Sequence, residues 1–145
     1  MKDINSAPSI LVVEDDSTTC VMLGTIIRHK FPDAAVYLAE NGSIGAELFS
    51  EHTPELVITD INMPVMDGIE MATRIRALRP DARFIVLTAY SSKDYFERFS
   101  EIGFCEYLLK PVQFPALFAA IEKCLLKCQL NSDKPGHKSP PDRPS

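Results

Sequence analysis

Short apolar runs alternate with amphipathic stretches five times between residues 9 and 128. The runs are continuous and mostly aliphatic, which is typical of strands buried on both faces, and they predict strands at 9–13, 35–39, 56–59, 84–87 and 106–109. Apolar residues at helical spacing follow each run and predict helices that end near residues 29, 50 and 79, then helices over 93–102 and 115–128. Ser17 and Thr18 are the predicted caps of the first helix.

This alternation predicts an α/β fold, a doubly wound five-stranded parallel sheet with helices on both faces. Such a sheet takes the flavodoxin-like order 2-1-3-4-5 and binds ligands at the carboxyl ends of its strands. We expect one folded domain over 9–130, preceded by a flexible N-terminus over 1–8. Residues 131–145 hold four prolines and no aliphatic or aromatic side chain, so they predict a disordered Pro-rich tail or linker.

Charge and hydropathy narrow the function classes. The 145 residues carry a formal net charge of −5, which argues against direct nucleic-acid binding because that requires clustered Lys and Arg. No apolar stretch is long enough to span a membrane, and the N-terminus does not resemble a signal peptide. The expected location is therefore the cytoplasm.

The four cysteines, Cys20, Cys105, Cys124 and Cys128, form no CxxC pair and have no histidine at metal-ligand spacing. We expect reduced, partly buried thiols. Cys124 and Cys128 would share one helical face, which leaves a soft-metal site as an alternative, but no further ligands are evident.

Polar residues follow four of the predicted strands: Glu14 and Asp15, then Asp60, Thr88 and Lys110. Strands one and three are neighbours in the predicted order, so three carboxylates would crowd one edge of the sheet. Each pair about 5 Å apart repels by roughly 3 kcal/mol at an effective dielectric of about 20, so the cluster needs protons or a cation. Any one acidic residue alone would be interpreted as a helix cap, but capping requires neither a hydroxyl nor a lysine at the same edge.

The donor set at this edge predicts a hard divalent cation, since only oxygen ligands are available. Mg²⁺ is expected, with Mn²⁺ as an alternative. Lys110 would neutralise phosphate charge, Thr88 would donate a hydrogen bond to it, and the remaining carboxylate would be the nucleophile of an aspartyl-phosphate reaction.

Four segments also carry a family resemblance: ILVVEDD at 10–16, VITDINMPVMDG at 57–68, LTA at 87–89 and YLLKP at 107–111. Together they resemble the receiver domains of two-component response regulators, and the resemblance covers residues 9 to about 128. It implies that Asp60 accepts a phosphoryl group, that Asp15 binds the metal directly, and that Glu14 acts through water. The backbone carbonyl of Asn62 would complete the metal site, and Asp16 would cap a helix.

The resemblance further implies that Thr88 and Tyr107 form a switch pair. On phosphorylation the hydroxyl would move toward the phosphoryl group and the ring would rotate inward. Lys110 would contact the phosphate, and the bond from Lys110 to Pro111 is expected to be cis.

Two further positions are implied to tune hydrolysis of the acyl phosphate, Asn62 and Tyr90. The aromatic ring of Tyr90 would screen the phosphoryl group from water, which predicts slower dephosphorylation than with a carboxamide at this position. Ala89 is small, as a site open to a small phosphodonor requires.

The function implied is that of a phosphoacceptor in a His-Asp phosphorelay, which is not an enzyme in the usual sense because it assists only its own phosphorylation and dephosphorylation. Its partners would be a sensor histidine kinase or phosphotransfer protein and a downstream protein or effector domain, and a phosphorylation-linked dimer is a further prediction. The fourth helix, fifth strand and fifth helix would form the output surface.

Three other functions are alternatives to this one. A Mg²⁺-dependent phosphohydrolase would need a carboxylate two residues after Asp60, where the chain has Asn62. A dinucleotide-binding domain would need GxGxxG after the first strand, which is absent. A constitutive docking module would not need the acidic pair, Thr88 and Lys110.

Overall fold

The computed structural model describes residues 8–61, 63, 65–89 and 93–133, with side chains for all of these except 93–95 and 127–133. Along this part of the chain, strands and helices alternate as predicted. They are β1 Ser9–Val13, α1 Ser17–Lys30, β2 Ala35–Ala39, α2 Gly42–His52, β3 Leu56–Asp60, α3 Gly68–Leu78, β4 Arg83–Thr88, α4 Lys93–Ile102, β5 Glu106–Leu109 and α5 Phe114–Asp133.

The strands form one parallel sheet in the order β2-β1-β3-β4-β5, which confirms the predicted fold class. Alternate residues of a strand point to opposite faces. Thus Leu11 and Val13 of β1 join the apolar core under α2, α3 and α4, whereas Ile10 and Val12 join the core under α1 and α5. Burial on both faces explains why the strands are continuous apolar runs in the sequence.

The first helix begins one residue earlier than its predicted caps require. Asp16 is the N-cap, and its carboxylate accepts a hydrogen bond from the Thr19 amide at 2.9 Å. Ser17 is already helical, so the prediction of Ser17 and Thr18 as caps is wrong, while the capping role implied for Asp16 is confirmed.

The last helix is longer than predicted. It continues to Asp133, so the prediction that the tail begins at residue 131 is wrong for residues 131–133. A helix can extend past its last apolar residue because each added residue needs only a backbone hydrogen bond to the preceding turn. Residues 1–7 and 134–145 lie outside the described residues, and the predicted flexibility of both ends stays a prediction. Among the described helices, none is long and apolar enough to cross a membrane.

The cysteines depart from the expectation of reduced thiols. Cys105 and Cys124 form a disulfide, with their Cα atoms 6.1 Å apart, whereas Cys20 is free and buried as expected. Spacing along the chain gave no sign of this pair because Cys105 precedes β5 and Cys124 lies on the helix that covers it. The disulfide also removes Cys124 from the alternative soft-metal site, and the side chain of Cys128 lies outside the described ones.

Candidate functional site

Five of the predicted site residues meet at the carboxyl edge of the sheet. Glu14 and Asp15 follow β1, Asp60 ends β3, Thr88 ends β4 and Lys110 follows β5. The strand registers bring these ends to the same edge, and the Lys110 amide donates to the Thr88 carbonyl at 2.8 Å. We call these five residues the carboxyl-edge site.

The ammonium of Lys110 lies between two buried carboxylates. Its Nζ donates to Oε1 of Glu14 at 2.8 Å and to Oδ2 of Asp60 at 2.7 Å. The residue exposures of Glu14 and Asp60 are only 2% and 7%, so solvent screens these contacts far less than those of a surface ion pair. The predicted cis bond between Lys110 and Pro111 is confirmed.

Backbone amides hold the remaining oxygens of both carboxylates. Oδ1 of Asp60 accepts from the Ile61 amide at 2.7 Å, and Oε2 of Glu14 accepts from the Asp16 amide at 3.2 Å. Each carboxylate therefore accepts a hydrogen bond from a backbone amide on one oxygen and from Lys110 on the other, and these two bonds fix its orientation.

The charges at this site depend on one another. Burial raises the pKa of Glu14, and hydrogen bonds from Lys110 and the Asp16 amide oppose that rise. Burial also acts to lower the pKa of Lys110, but its hydrogen bonds to Asp60 and Glu14 outweigh this, and the net pKa is raised. Lys110 is consequently a stable cation at neutral pH.

The carboxyl-edge site has the donor set of a divalent-cation site. Carboxylate oxygens of Glu14, Asp15 and Asp60 all lie within 4.8 Å of one another. Asp15 is exposed, so solvent reaches the cluster, and Mg²⁺ favours such sites because it keeps several water ligands. The residues present therefore fit Mg²⁺. Asn62, the fourth predicted ligand, lies outside the described residues, as does Tyr90.

Two glycines, which sequence reasoning missed as site residues, lie very close to the backbone at the end of β3 and in the loop that follows it. A Cβ on Gly68 would lie 2.2 Å from the carbonyl oxygen of Asp60, and the Gly68 amide donates to the Ile61 carbonyl at 2.8 Å. A Cβ on Gly42 would lie 2.2 Å from the carbonyl oxygen of Met66. The available signal was a glycine directly after an N-cap residue, a position where a better helix former is otherwise favoured.

Tyr107 lies within an aromatic group that joins α4 to β5. Its ring centroid is 5.1 Å from that of Phe96 and 5.4 Å from that of Phe104. Its hydroxyl is buried and has no hydrogen-bond partner in the described part of the chain. Burial raises the pKa of Tyr107, and the nearby Thr88 side chain opposes this rise, so the two predicted switch residues are neighbours.

A cavity of about 500 Å³ adjoins the site on the side of α1. Glu14, Ala89 and Lys110 line its end nearest the carboxylates. The rest of its wall comprises Thr19, Met22, Leu23, Leu87, Pro111, Val112 and Phe114. The cavity therefore borders Lys110 and one of the two buried carboxylates, that of Glu14.

Comparisons with known proteins agree with this geometry. The model of the response regulator receiver domain family matches residues 10–122. The chain is 37% identical over 116 residues to the transcriptional regulatory protein ZraR of Escherichia coli strain K12, covering 80% of this chain and 26% of that protein. It is 32% identical over 119 residues to the chemotaxis protein CheY of Halobacterium salinarum, covering 82% of this chain and 98% of that one.

A solved structure gives the same result. The CheY-like receiver domain protein of Methanospirillum hungatei superposes with a TM-score of 0.78 at 26% identity, covering 87% of this chain and 99% of that one. The chain spans about a quarter of the length of the ZraR relative, which contains further sequence beyond the matched region. The match over residues 10–122 and the shared fold establish that the chain belongs to the response regulator receiver domain family.

Proposed function

We propose that this receiver domain accepts a phosphoryl group on Asp60 from the phosphohistidine of a histidine kinase or phosphotransfer protein. The observation that carries the proposal is the position of Lys110, whose ammonium contacts the buried carboxylates of Glu14 and Asp60. Structural capping would not require a lysine at this point. The nearby Asp15 completes the acidic cluster that receiver domains use for Mg²⁺.

The reaction is a phosphoryl transfer between two nucleophiles. A carboxylate oxygen of Asp60 forms a bond to phosphorus while the bond from phosphorus to the donor imidazole nitrogen breaks, and that nitrogen keeps the electron pair. Asp15 and Asp60, with Glu14 through water and the Asn62 carbonyl, would hold Mg²⁺, and the ion would supply positive charge to neutralise the transferred oxygens. Lys110 would turn from the carboxylates to the phosphoryl oxygens.

Phosphorylation would then change the surface formed by α4, β5 and α5. The Thr88 hydroxyl would donate a hydrogen bond to the phosphoryl group, and the ring of Tyr107 would respond because the two side chains are neighbours. A shift of a two-state equilibrium from 1:99 to 99:1 needs about 5.5 kcal/mol, which two or three charge-assisted hydrogen bonds supply. Tyr90 would slow hydrolysis by screening the acyl phosphate.

The partners follow from this chemistry. A kinase or phosphotransfer protein in the cytoplasm would present its phosphohistidine at the carboxyl-edge site, where the small Ala89 leaves room for the donor. The changed surface would control a downstream protein, an effector domain or a second copy of this chain. Direct contact with nucleic acid is not part of the proposal, because the net charge of −5 disfavours it.

The test is incubation of the 145-residue chain with acetyl phosphate and MgCl₂, followed by intact-mass measurement. We expect the mass of one phosphoryl group to be added, and expect EDTA to prevent the gain. Asp60→Asn should abolish it. Asp33→Asn is the matched control, since Asp33 is exposed and lies far along the chain from the acidic cluster. A wild-type chain that gains no phosphoryl mass, or an Asp60→Asn variant that still gains it, would overturn the proposal.

A further inference from the structure

The disulfide between Cys105 and Cys124 joins the amino end of β5 to the middle of α5. In the described sheet β5 is an edge strand, paired only with β4. The neighbouring residues, Glu106 and Lys123, form an ion pair between the same two elements. A covalent and an ionic link therefore lie side by side on the surface proposed to carry output.

Apolar packing also holds this part of the fold, beside the covalent bond. Cys124 is fully buried in the apolar core under α1 and α5, and Cys105 packs against that core. As thiols, both residues would still serve as small apolar side chains in the same packing. Large aliphatic residues such as Leu117 and Ile121, which have no exposed area, hold α5 to the sheet in either state.

We infer that Cys105 and Cys124 are a redox-responsive thiol pair, and that its oxidation fixes α5 to β5. The inference that the pair responds to redox conditions rests on the proposed function. A phosphorelay in the cytoplasm is exposed to a glutathione pool that keeps most thiols reduced. Disulfides in such a compartment are usually transient or redox-sensing.

The chemistry is thiol–disulfide exchange with a small disulfide such as oxidised glutathione. The partly exposed Cys105 reacts first, as a thiolate, forming a mixed disulfide and releasing one glutathione thiol. The sulfur of Cys124 then attacks that of Cys105 and displaces the second glutathione. The two protein thiols lose two electrons and two protons in total, and oxidised glutathione becomes two thiols. The Cα separation of 6.1 Å lies in the range that permits this bond.

The first experiment equilibrates the whole chain in reduced and oxidised glutathione at graded ratios, then quenches it in acid, denatures it and alkylates the thiols. Peptide mapping should find Cys105 and Cys124 protected together in oxidising mixtures and alkylated together in reducing ones. Cys105→Ser should abolish the protection of Cys124, and Cys20→Ser and Cys128→Ser should leave the pair intact. Thiols that persist in the most oxidising mixture, a disulfide that persists in the most reducing one, or a link to Cys20 or Cys128 would each overturn the inference.

The second experiment measures hydrogen exchange of the oxidised and reduced chains. Amides of α5 within 114–126 should exchange at least roughly tenfold more slowly in the oxidised chain, because the link opposes local opening of the helix. Amides of α2, on the opposite face of the sheet, should not change. Equal exchange of α5 in both states would overturn the coupling to β5.

Intact-mass measurement of phosphoryl gain in the same samples distinguishes failure of the proposed phosphorylation from failure of the redox inference. A chain that switches between thiols and disulfide but gains no phosphoryl group contradicts the proposed function alone. A chain that is phosphorylated but never forms the bond contradicts the redox inference alone.

Discussion

The two ends of β5 are held to the molecule by different kinds of contact. At the carboxyl end, Lys110 forms charged hydrogen bonds to buried Glu14 and Asp60. At the amino end, the anchors are a disulfide to α5, an ion pair whose lysine is about half exposed, and a half-buried arginine from α3. The contacts at the carboxyl end also form the proposed reaction site. Those at the amino end have only a structural role in the reduced protein.

The largest effect is expected for Lys110→Met. This change leaves two buried carboxylates without their shared cation, and we expect the free energy of unfolding to fall by about 3 kcal/mol. Added Mg²⁺ should recover more stability in the variant than in the wild type, because a cation then replaces the lost charge. Phosphoryl gain should fall at least about tenfold. Urea unfolding with and without MgCl₂ measures the first two effects.

The matched control for this variant is Lys123→Met at the amino end of β5. Lys123 pairs with Glu106, but its side chain is 49% exposed, so its loss should cost less than about 1 kcal/mol. Equal losses for the two lysines would contradict the contrast between the two ends of the strand.

The next effect concerns Gly68→Ala at the carboxyl edge. The added Cβ would lie 2.2 Å from the Asp60 carbonyl, and backbone must move to admit it, so we expect a loss of about 2 to 3 kcal/mol and slower phosphoryl gain. Gly24→Ala is the control, since its Cβ would meet only the flexible end of the Leu38 side chain, at 2.8 Å. A Gly68→Ala variant as stable and as readily phosphorylated as Gly24→Ala would contradict the requirement for glycine beside Asp60.

A smaller loss is expected for Arg76→Met. The Arg76 guanidinium donates to the carbonyls of Ala82, of Ile102 at the end of α4 and of Gly103 in the turn that leads into β5. Burial lowers the pKa of Arg76. An arginine side chain nevertheless stays protonated in proteins, so its charge strengthens these hydrogen bonds. Removing it should cost about 2 kcal/mol by leaving partly buried carbonyls unpaired.

Arg74→Met serves as the control for Arg76→Met. The side chain of Arg74 is 62% exposed and pairs only loosely with Glu70, at 3.9 Å, so its loss should cost less than about 0.5 kcal/mol. Denaturant unfolding of both variants measures the difference, and equal stabilities would show that Arg76 does not anchor the amino end of β5.

The contrast between the two ends of β5 also explains which contacts could be predicted from the sequence. Asp60 and Lys110 could be placed because a strand followed directly by a polar residue fixes that residue at the carboxyl edge, whatever the rest of the chain does. The order of the strands could be expected because a five-stranded doubly wound parallel sheet takes the order 2-1-3-4-5. Contacts of the amino end could not be placed, because the Arg76 hydrogen bonds and the Cys105–Cys124 pair join residues that only the packed fold brings together. The close approach at Gly68 is of the same kind, since its cause is a backbone carbonyl eight residues away.

Tyr107 lies between the two ends of β5, and its hydroxyl gives the smallest expected effect. Because this buried hydroxyl has no hydrogen-bond partner in the described part of the chain, Tyr107→Phe should raise the free energy of unfolding by up to about 1 kcal/mol. The ring contacts with Phe96 and Phe104 do not need the hydroxyl and should persist.

Tyr37→Phe is the control, because Tyr37 is only partly buried and stacks on His52, so the free energy of unfolding of this variant should not change. Both are measured by urea unfolding without phosphodonor. A loss of stability in Tyr107→Phe would mean that the hydroxyl is bonded in solution, with Thr88 as the nearest candidate, and the middle of β5 would then resemble the polar carboxyl end rather than the packed amino end.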